Sequence, residues 1–419
     1  MFEEFDFYPL KGQPYFDNDK HWVSPLNFLP ENMAAYPEKI IIHDCTLRDG
    51  EQTPRVYYSR QERVRIARQL DELGVDRIEI GMPIISEELR NAIKEVMALK
   101  LKSKVVAFAR ANPEDVRLSV ECGVEHVIIE HTVNPYLCKY AYKLDQDQLC
   151  QRVYDNVAAA KKAGLWVNYM GWDFSRTPLE YSRKVYKAAI DAGASAITLV
   201  DTFAVATPKA IGYAVKQFRE WFSDVIIEFH VHNDFGLGMA TALAAVENGA
   251  SIIHTAMNAL GERTGNLATE EVATTFGILM GGRTNVNLEK LYETSRVISD
   301  ITSIYPNVNK TVFGKNCFAI ESGVVSHYTN ALRNVGFKPI SYPYLPEVVG
   351  RKEEDFLIGS LSGKLTIEYF LDKNNIKATP EQQEDILEAV KQECIVRKAL
   401  LIEEDLISIT YKVLNKGHL

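Results

Sequence analysis

The chain has 419 residues, of which 46% are hydrophobic, and its 47 lysines and arginines against 56 acidic residues give a formal charge of −9. This composition excludes an intrinsically disordered chain, a collagen and a disulfide-stabilised miniprotein. The negative charge, without any block of five or more basic residues, argues against nucleic acid or an anionic membrane as the main partner.

Two further features of the composition concern the cellular compartment. No apolar run reaches the roughly 18 to 20 residues of a membrane-spanning helix, and the acidic start MFEEFD is unlike a signal peptide. The six cysteines include no C-x-x-C pair, which favours reduced thiols over a disulfide framework. We therefore expect a cytoplasmic protein.

Residues 1–38 are rich in aromatic residues and proline and show no clear periodicity. We interpret them as an N-terminal extension that lies over the following domain or over a partner subunit.

From residue 39 onward, short β-branched runs alternate with longer amphipathic stretches, the pattern of parallel strands joined by helices. Eight such runs, about 25 to 35 residues apart, predict a (β/α)8 TIM barrel over residues 39–285, with a doubly wound sheet as the alternative. The runs are 39–44, 77–81, 104–109, 125–130, 165–171, 195–201, 225–232 and 251–257.

Glycines mark the ends of five predicted barrel helices, and glycine in this position supplies the left-handed residue that ends a helix. They are Gly74, Gly123, Gly164, Gly193 and Gly249. Beyond residue 285 the alternation stops and helical patterns appear at 288–301, 363–373 and 380–410. We therefore expect residues 286–419 to form a separate, mainly helical subdomain or lid.

Polar residues cluster where the first, seventh and eighth strands end, and in a TIM barrel this rim carries the chemistry. His230 and His232 are two apart on a strand, so both side chains point to one face. The alternative is one buried and one exposed histidine. A carboxylate after the first strand lies on the same rim, and two histidines with one carboxylate leave open positions on a divalent ion, which could be Mg²⁺, Mn²⁺, Co²⁺ or Zn²⁺.

Arg48 stands next to Asp49 in the turn after the first strand. The pair could be an ordinary surface salt bridge. Beside a metal ion, however, the guanidinium would stabilise a developing enolate or alkoxide oxygen, which indicates carbonyl chemistry.

Three motifs together carry a family resemblance. HDCTLRDGEQ (43–52), HVHNDFGLGMA (230–240) and NALGERTGN (258–266) resemble the signature of the DRE-TIM metallolyase superfamily, within it the branch of 2-isopropylmalate, homocitrate, citramalate and Re-type citrate synthases. The resemblance covers about residues 38 to 285 and implies a Claisen condensation of acetyl-CoA with a 2-oxo acid, followed by release of CoA.

The resemblance also implies roles for individual residues. Asp49, His230, His232 and Asn266 would bind the metal, and Arg48 and Glu51 would be catalytic. Gln52, Arg110, Thr132, Thr202, Asn233 and His131 would bind the 2-oxo acid.

The chain departs from the family pattern in a segment after the barrel that usually reads His-x-Ser-Gly-Ile-His. Ile320 and Val325 occupy the two histidine positions. His327 or Glu321 could serve as the catalytic base instead, although His327 could equally be a histidine on a helix surface. Trp172 is a second departure, because it replaces an acidic residue of the family pattern.

The loops after the second and fourth strands resemble homocitrate synthases. His131, Thr132 and Lys139 are candidate partners for a second substrate carboxylate, so we expect a dicarboxylic 2-oxo acid, 2-oxoglutarate or oxaloacetate.

Other functions stay open at this point. One is an isopropylmalate or citramalate type of synthase that uses another 2-oxo acid, and another is a C–C lyase or aldolase of the same superfamily. The loop GERTGN lacks the cysteine that a lyase of the 3-hydroxy-3-methylglutaryl-CoA type would be expected to carry. The third alternative is an inactive binding paralogue. We also expect a homodimer.

Overall fold

The computed structural model of the protein describes residues 10–352 and 355–415. The described chain forms two compact units, residues 25–306 and residues 10–24 together with 307–415. The predicted N-terminal extension is therefore divided between the two units, and its residues 1–9, which carry the acidic start, lie outside the described residues.

Eight parallel strands form a closed barrel in the first unit. They are β1 (Ile41–Asp44), β2 (Arg77–Gly81), β3 (Lys104–Arg110), β4 (His126–Thr132), β5 (Trp166–Trp172), β6 (Ala196–Asp201), β7 (Ile226–Val231) and β8 (Ile252–Thr255). Strand β8 pairs in parallel with both β7 and β1, so the barrel sheet has no free edge. The predicted TIM barrel is confirmed, and the alternative of a doubly wound open sheet is wrong.

Helices follow the strands on the outside of the barrel. They are Arg60–Leu73, Glu87–Ala98, Pro113–Glu121, Gln146–Lys162, Leu179–Asp191, Pro208–Trp221, Gly238–Glu247 and Thr269–Thr274, with short helices at Pro30–Met33 and Pro135–Tyr140. The five glycines predicted to end helices all have positive φ angles, between 79° and 117°. Helices Glu87–Ala98, Pro208–Trp221 and Thr269–Thr274 end without a glycine, so the glycine pattern marks only five of the eight.

The barrel unit extends beyond the predicted boundary at residue 285, because helix Leu291–Thr302 belongs to it. This helix binds the loop after β8: the Asn258 amide donates hydrogen bonds to Ser295 and Ser299, each at 3.1 Å.

The second unit is mainly helical, with helices Gly323–Arg333, Lys364–Lys373, Pro380–Arg397 and Glu403–Asn415. Its core includes a cluster of buried apolar side chains formed by Ile358, Ile367, Phe370, Leu371, Ile386, Val390, Cys394, Leu401 and Leu406. The predicted helical stretch 380–410 is two helices, because the chain turns at Lys398, which has a φ of 53°. A two-stranded pair, Phe16–Asp17 with His21–Trp22, also belongs to this unit.

All six cysteines are free, as the sequence predicts. Across the described ranges, none of the helices combines the length and the apolar character needed to cross a bilayer.

Part of the barrel interior is polar. Glu79 on β2 accepts hydrogen bonds from Arg48 and is 3.1 Å from His43 Nε2. The His43 ring stacks on His254 at 4.1 Å between centroids, and His254 Nε2 is 2.7 Å from Glu228. Although His43, Glu79 and His254 are close enough to hold an ion, both Nε2 atoms already face carboxylates. We describe these residues, with Arg77, as the interior network.

Glu228 has three hydrogen-bonding partners in the barrel interior. It accepts hydrogen bonds from Arg77 at 2.7 Å and Asn168 at 2.8 Å in addition to its contact with His254. Burial alone would raise its pKa, but the Arg77 charge and the His254 hydrogen bond outweigh burial and lower the pKa to about 2.

We expect Glu228→Gln to destabilise the protein by about 3 kcal/mol at neutral pH, because it leaves the buried Arg77 charge without its partner. The ionised Glu228 contributes stability above its usual pKa of 4.5, and this contribution is lost as the pH falls towards about 2. Urea denaturation at several pH values should therefore show the difference from wild type narrowing in acid. Glu114→Gln, which changes an exposed carboxylate, is the control and should alter stability little at any pH.

Candidate metal-binding active site

Three potential metal ligands meet at the rim where β1 and β7 end. Asp49 follows β1, His230 is on β7, and His232 comes directly after that strand. The His230 and His232 Nε2 atoms are 3.5 Å apart, and they lie 3.5 and 3.8 Å from Asp49 Oδ2. Ligand atoms that share one divalent ion are roughly 3.0 to 3.4 Å apart for bond lengths near 2.1 Å. The three side chains therefore need to move only a little to hold an ion.

The electrostatics of this group also suit a cation. All three side chains are buried, so the alternative of one buried and one exposed histidine is wrong. Burial lowers the pKa of both histidines, that of His230 well below its usual range, so each imidazole is neutral and keeps a lone pair to donate. The remaining Asp49 oxygen, Oδ1, is buried and has no hydrogen-bond partner. These residues fit a divalent ion.

Asn266 approaches the same place through the loop after β8. Its backbone forms a bridge with His232, and its side-chain nitrogen donates a hydrogen bond to Leu260 O at 2.8 Å. The side-chain oxygen Oδ1 is buried without a partner, which leaves it free to contribute a fourth ligand.

The loop that carries Asn266 depends on Gly265. This residue has a φ of 84°, and a Cβ atom there would lie 1.7 Å from the carbonyl oxygen of Ala259. The Gly265 carbonyl also accepts a hydrogen bond from Asn233 N at 3.1 Å, directly after His232. Only glycine fits this position without moving the loop.

We expect Gly265→Ala to lower activity about a hundredfold, because a displacement of about 1 Å at a reacting group is sufficient for such a loss. Gly123→Ala is the matched control, since Gly123 has a similar φ of 79° but open space around it. It should lower the melting temperature slightly and leave turnover unchanged. Equal turnover in the two variants would contradict this role of Gly265.

Arg48 is buried beside the three ligands, not on the surface. Its guanidinium donates through Nε to Glu79, through Nη2 to Glu79 at 3.4 Å, and through Nη1 to Asp49 at 3.2 Å. The group also lies over the Phe108 ring at 4.4 Å. Burial opposes the charge, but Glu79 and Asp49 outweigh burial and raise the pKa of Arg48, so it is a fixed cation next to the candidate metal position.

A cavity of about 480 Å³ opens above this group. Arg48, Asp49, His230 and His232 all line the cavity. Of the predicted substrate-binding residues, Gln52, Arg110, Thr132 and Thr202 also line it. Arg110 is held by two hydrogen bonds to Asp115, at 2.9 and 3.0 Å. Trp172, one of the departures from the family pattern, forms part of the wall and packs edge-to-face against Phe203.

Four predicted site residues of the barrel are not part of this lining: Asn266, described above, and Glu51, His131 and Asn233. Glu51 pairs with Arg63 and lines a separate cavity of about 150 Å³. His131 faces its own strand end, with Nδ1 3.0 Å from Thr132 O and its ring against Tyr142. The Asn233 side chain accepts a hydrogen bond from Gly238 N at the start of a helix.

The two predicted base candidates after the barrel belong to the second unit. His327 is exposed on helix Gly323–Arg333. Glu321 accepts a hydrogen bond from Leu361 N at 3.2 Å. Their catalytic roles stay predictions.

Three residues near the candidate metal position were missed by the sequence analysis. Glu79 fixes Arg48, as described above, and Glu130 lines the cavity from β4. A signal was available for both, because each is a carboxylate inside an otherwise apolar strand run. Cys45 is close to Asp49 and His230, but its Sγ donates to Thr255 O and burial raises its pKa well above the usual range, so it stays a thiol.

The chain is similar to known enzymes over most of its length. Residues 39–298 match the HMGL-like family. The chain is 37% identical to a 2-isopropylmalate synthase of Methanocaldococcus jannaschii over 85% of this chain and 68% of the relative. It is 32% identical to the homocitrate synthase AksA of Methanothermobacter thermautotrophicus over 89% of this chain and 93% of the relative. It is also 34% identical to the (R)-citramalate synthase CimA of M. jannaschii, over 90% of this chain and 75% of the relative.

Among solved structures, an HMG-CoA lyase of Bacillus subtilis matches with a TM-score of 0.59 and 20% identity, over 65% of this chain and 96% of that chain. This likeness concerns the barrel fold alone.

Proposed function

Because this chain belongs to the HMGL-like family, we propose that it catalyses a divalent-metal-dependent Claisen condensation, in which acetyl-CoA adds to a 2-oxo acid and CoA is released. The observation that carries the proposal is the position of Arg48 within hydrogen-bonding distance of Asp49, which itself lies 3.5 and 3.8 Å from the two histidines. No requirement of the barrel fold alone brings these four groups together at the floor of a cavity.

Asp49, His230 and His232 would hold the ion, with Asn266 Oδ1 as a fourth ligand. When bound, the ion would supply Lewis-acid polarisation of the keto group of the 2-oxo acid. Mg²⁺, Mn²⁺, Co²⁺ and Zn²⁺ all fit this set of nitrogen and oxygen ligands.

Arginine and threonine side chains of the cavity act on the substrates. Arg48 stabilises the negative charge that develops on the keto oxygen as the new C–C bond forms, and Glu79 keeps its guanidinium in place before the reaction. Arg110 and Thr202, which also line the cavity, orient the substrate carboxylate.

The proposed substrate is a dicarboxylic 2-oxo acid, with 2-oxoglutarate giving homocitrate or oxaloacetate giving citrate. The similarity to the homocitrate synthase AksA supports this choice, as does Thr132 in the cavity wall.

The test is free-thiol release from acetyl-CoA in the presence of Mg²⁺ or Mn²⁺, with 2-oxoglutarate, oxaloacetate, pyruvate, 2-oxoisovalerate and phosphonopyruvate offered separately. Strong release with one dicarboxylic acid supports the full proposal. Strong release with pyruvate or 2-oxoisovalerate keeps the reaction and overturns the substrate. Absence of release with all five acids contradicts the proposed condensation.

The expected homodimer and cytoplasmic location stay predictions. Light scattering coupled to gel filtration would measure the mass of the assembly directly, with twice the chain mass expected.

A further inference from the structure

The proposed condensation needs a proton acceptor, because the methyl group of acetyl-CoA must lose a proton before it can attack. A general base must lie in the cavity and carry a lone pair that no other partner uses. Among the described residues that line the cavity, the arginines are permanent cations, and Asp49, His230 and His232 are the proposed metal ligands. Burial raises the pKa of Tyr142, which keeps that phenol protonated.

Two carboxylates remain in the lining, Glu130 and Glu262. Glu262 is half exposed and lies 3.4 Å from Arg263, so solvent and a cation already compensate its charge. The Glu130 side chain forms no hydrogen bond or ion pair within the part of the chain that the structure describes, whereas its backbone carbonyl accepts a hydrogen bond from Ala111 N at 2.8 Å. It is therefore the carboxylate whose lone pairs face the cavity without a partner.

The strand register explains why Glu130 points inward. On β4 it pairs laterally with Arg110 of β3 and Met170 of β5. Residues two apart on a strand share a face, and Ile128 belongs to a buried cluster with Phe108 and Met170. Glu130 is two residues after Ile128 on this face of β4, next to the apolar cluster and nearer the C-terminal end of the strand.

We infer that the Glu130 carboxylate is the base that accepts the methyl proton of acetyl-CoA, an inference that rests on the proposed function. The C–H bond breaks, its proton goes to a Glu130 oxygen, and its electron pair forms the enolate of the thioester. The enolate carbon then bonds to the keto carbon, whose π electrons become an alkoxide, and Glu130 can return its proton to that oxygen. Hydrolysis of the thioester by water yields the free thiol of CoA.

The surroundings of Glu130 suit a proton acceptor at neutral pH. Burial raises its pKa, and the charges of Arg48 and Arg110 limit the rise, to about 7. Tyr142, beyond β4, and Tyr169 on β5 are the other titratable groups that interact with it, and both phenols are neutral. A base with a pKa near the working pH is ionised often enough to act and still accepts a proton strongly.

The inference also accounts for the two missing histidines after the barrel. Ile320 and Val325 cannot accept a proton, and Glu130 supplies from the barrel itself the function that these positions lack.

The experiment is Glu130→Gln, which keeps the size of the side chain and removes the base. We expect kcat to fall by about 10²- to 10⁴-fold, with bound Mn²⁺ and the KM for the 2-oxo acid unchanged. The rise of kcat/KM with pH through about 7 should disappear, since below this pH the wild-type carboxyl is protonated and cannot accept a proton. The kinetic isotope effect with trideuterated acetyl-CoA should increase, because proton removal becomes rate-limiting.

Glu125→Gln is the matched control, because Glu125 is exposed and precedes the same strand. It should behave as wild type. Glu130→Asp keeps a carboxylate and should retain part of the rate together with the pH dependence.

A wild-type rate in Glu130→Gln would overturn the inference, and so would a large increase in the KM for the 2-oxo acid at unchanged kcat, which would make Glu130 a specificity residue. In that case His327→Ala and Glu321→Gln test the remaining candidates. If the proposed function itself is wrong, the wild-type protein will release no thiol from acetyl-CoA. This result differs from a failure of the Glu130 inference, in which the wild-type protein is active.

Discussion

The variant His232→Ala is expected to lose about a thousandfold in turnover and most of its bound metal. His232 Nε2 faces both His230 Nε2 and Asp49 Oδ2 within 4 Å, so its removal opens one side of the proposed coordination shell. Lewis-acid polarisation contributes several kcal/mol to such reactions, and about 4 kcal/mol corresponds to a factor of roughly a thousand.

The measurements are thiol release, Mn²⁺ binding by titration calorimetry and far-UV circular dichroism. The control is His131→Ala, which removes a buried histidine outside the cavity lining and should retain Mn²⁺. Equal Mn²⁺ affinity in wild type and His232→Ala would remove His232 from the metal site.

The second large effect concerns Arg48. We expect Arg48→Lys to lower turnover by at least two orders of magnitude while Mn²⁺ binding is retained, on the basis of about 3 kcal/mol for one preorganised partner of an oxyanion. The structure gives the physical reason. The guanidinium contacts Glu79 through two nitrogens and Asp49 through a third, and a lysine ammonium cannot bridge both carboxylates and also face the substrate.

Arg63→Lys separates this catalytic effect from simple loss of a buried arginine. Arg63 is also buried, donates to Leu47 O at 3.0 Å and pairs with Glu51, but it is not part of the cavity lining. Both variants should lose stability in urea, and only Arg48→Lys should lose turnover. A normal rate in Arg48→Lys would show that a point charge is sufficient at this position.

The barrel and the pair of His230 and His232 could be predicted from the sequence because both depend on short-range patterns, whereas the choice of Asp49 among the carboxylates after β1 followed from the family resemblance. A β-branched run followed by a helix and a glycine repeats along the chain, and the histidine spacing of two places both rings on one face of β7. The closure of the barrel then brings β1 next to β8 and so close to β7.

Residues whose role depends on contacts distant in sequence could not be predicted in the same way. Glu79 and Glu130 are single carboxylates in apolar runs, and whether such a side chain is paired or free depends on neighbouring strands. Three other residues, Glu51, His131 and Asn233, were predicted to belong to the site but do not line the cavity. They lie in or beside the motifs, but local partners turn their side chains away from the cavity.

The interior network has a consequence for protein engineering. Glu79 and Glu228 are balanced by Arg48 and Arg77, so two anions and two cations cancel inside the barrel. A chimera that grafts the loops after β2 and β4 from a homologue leaves this neutral array intact and should fold. A chimera that exchanges only β2 separates Glu79 from Arg48 and Arg77 from Glu228, and one that exchanges only β7 separates Glu228 from Arg77. The turn after β1, β2 and β7 should therefore be transplanted as a set.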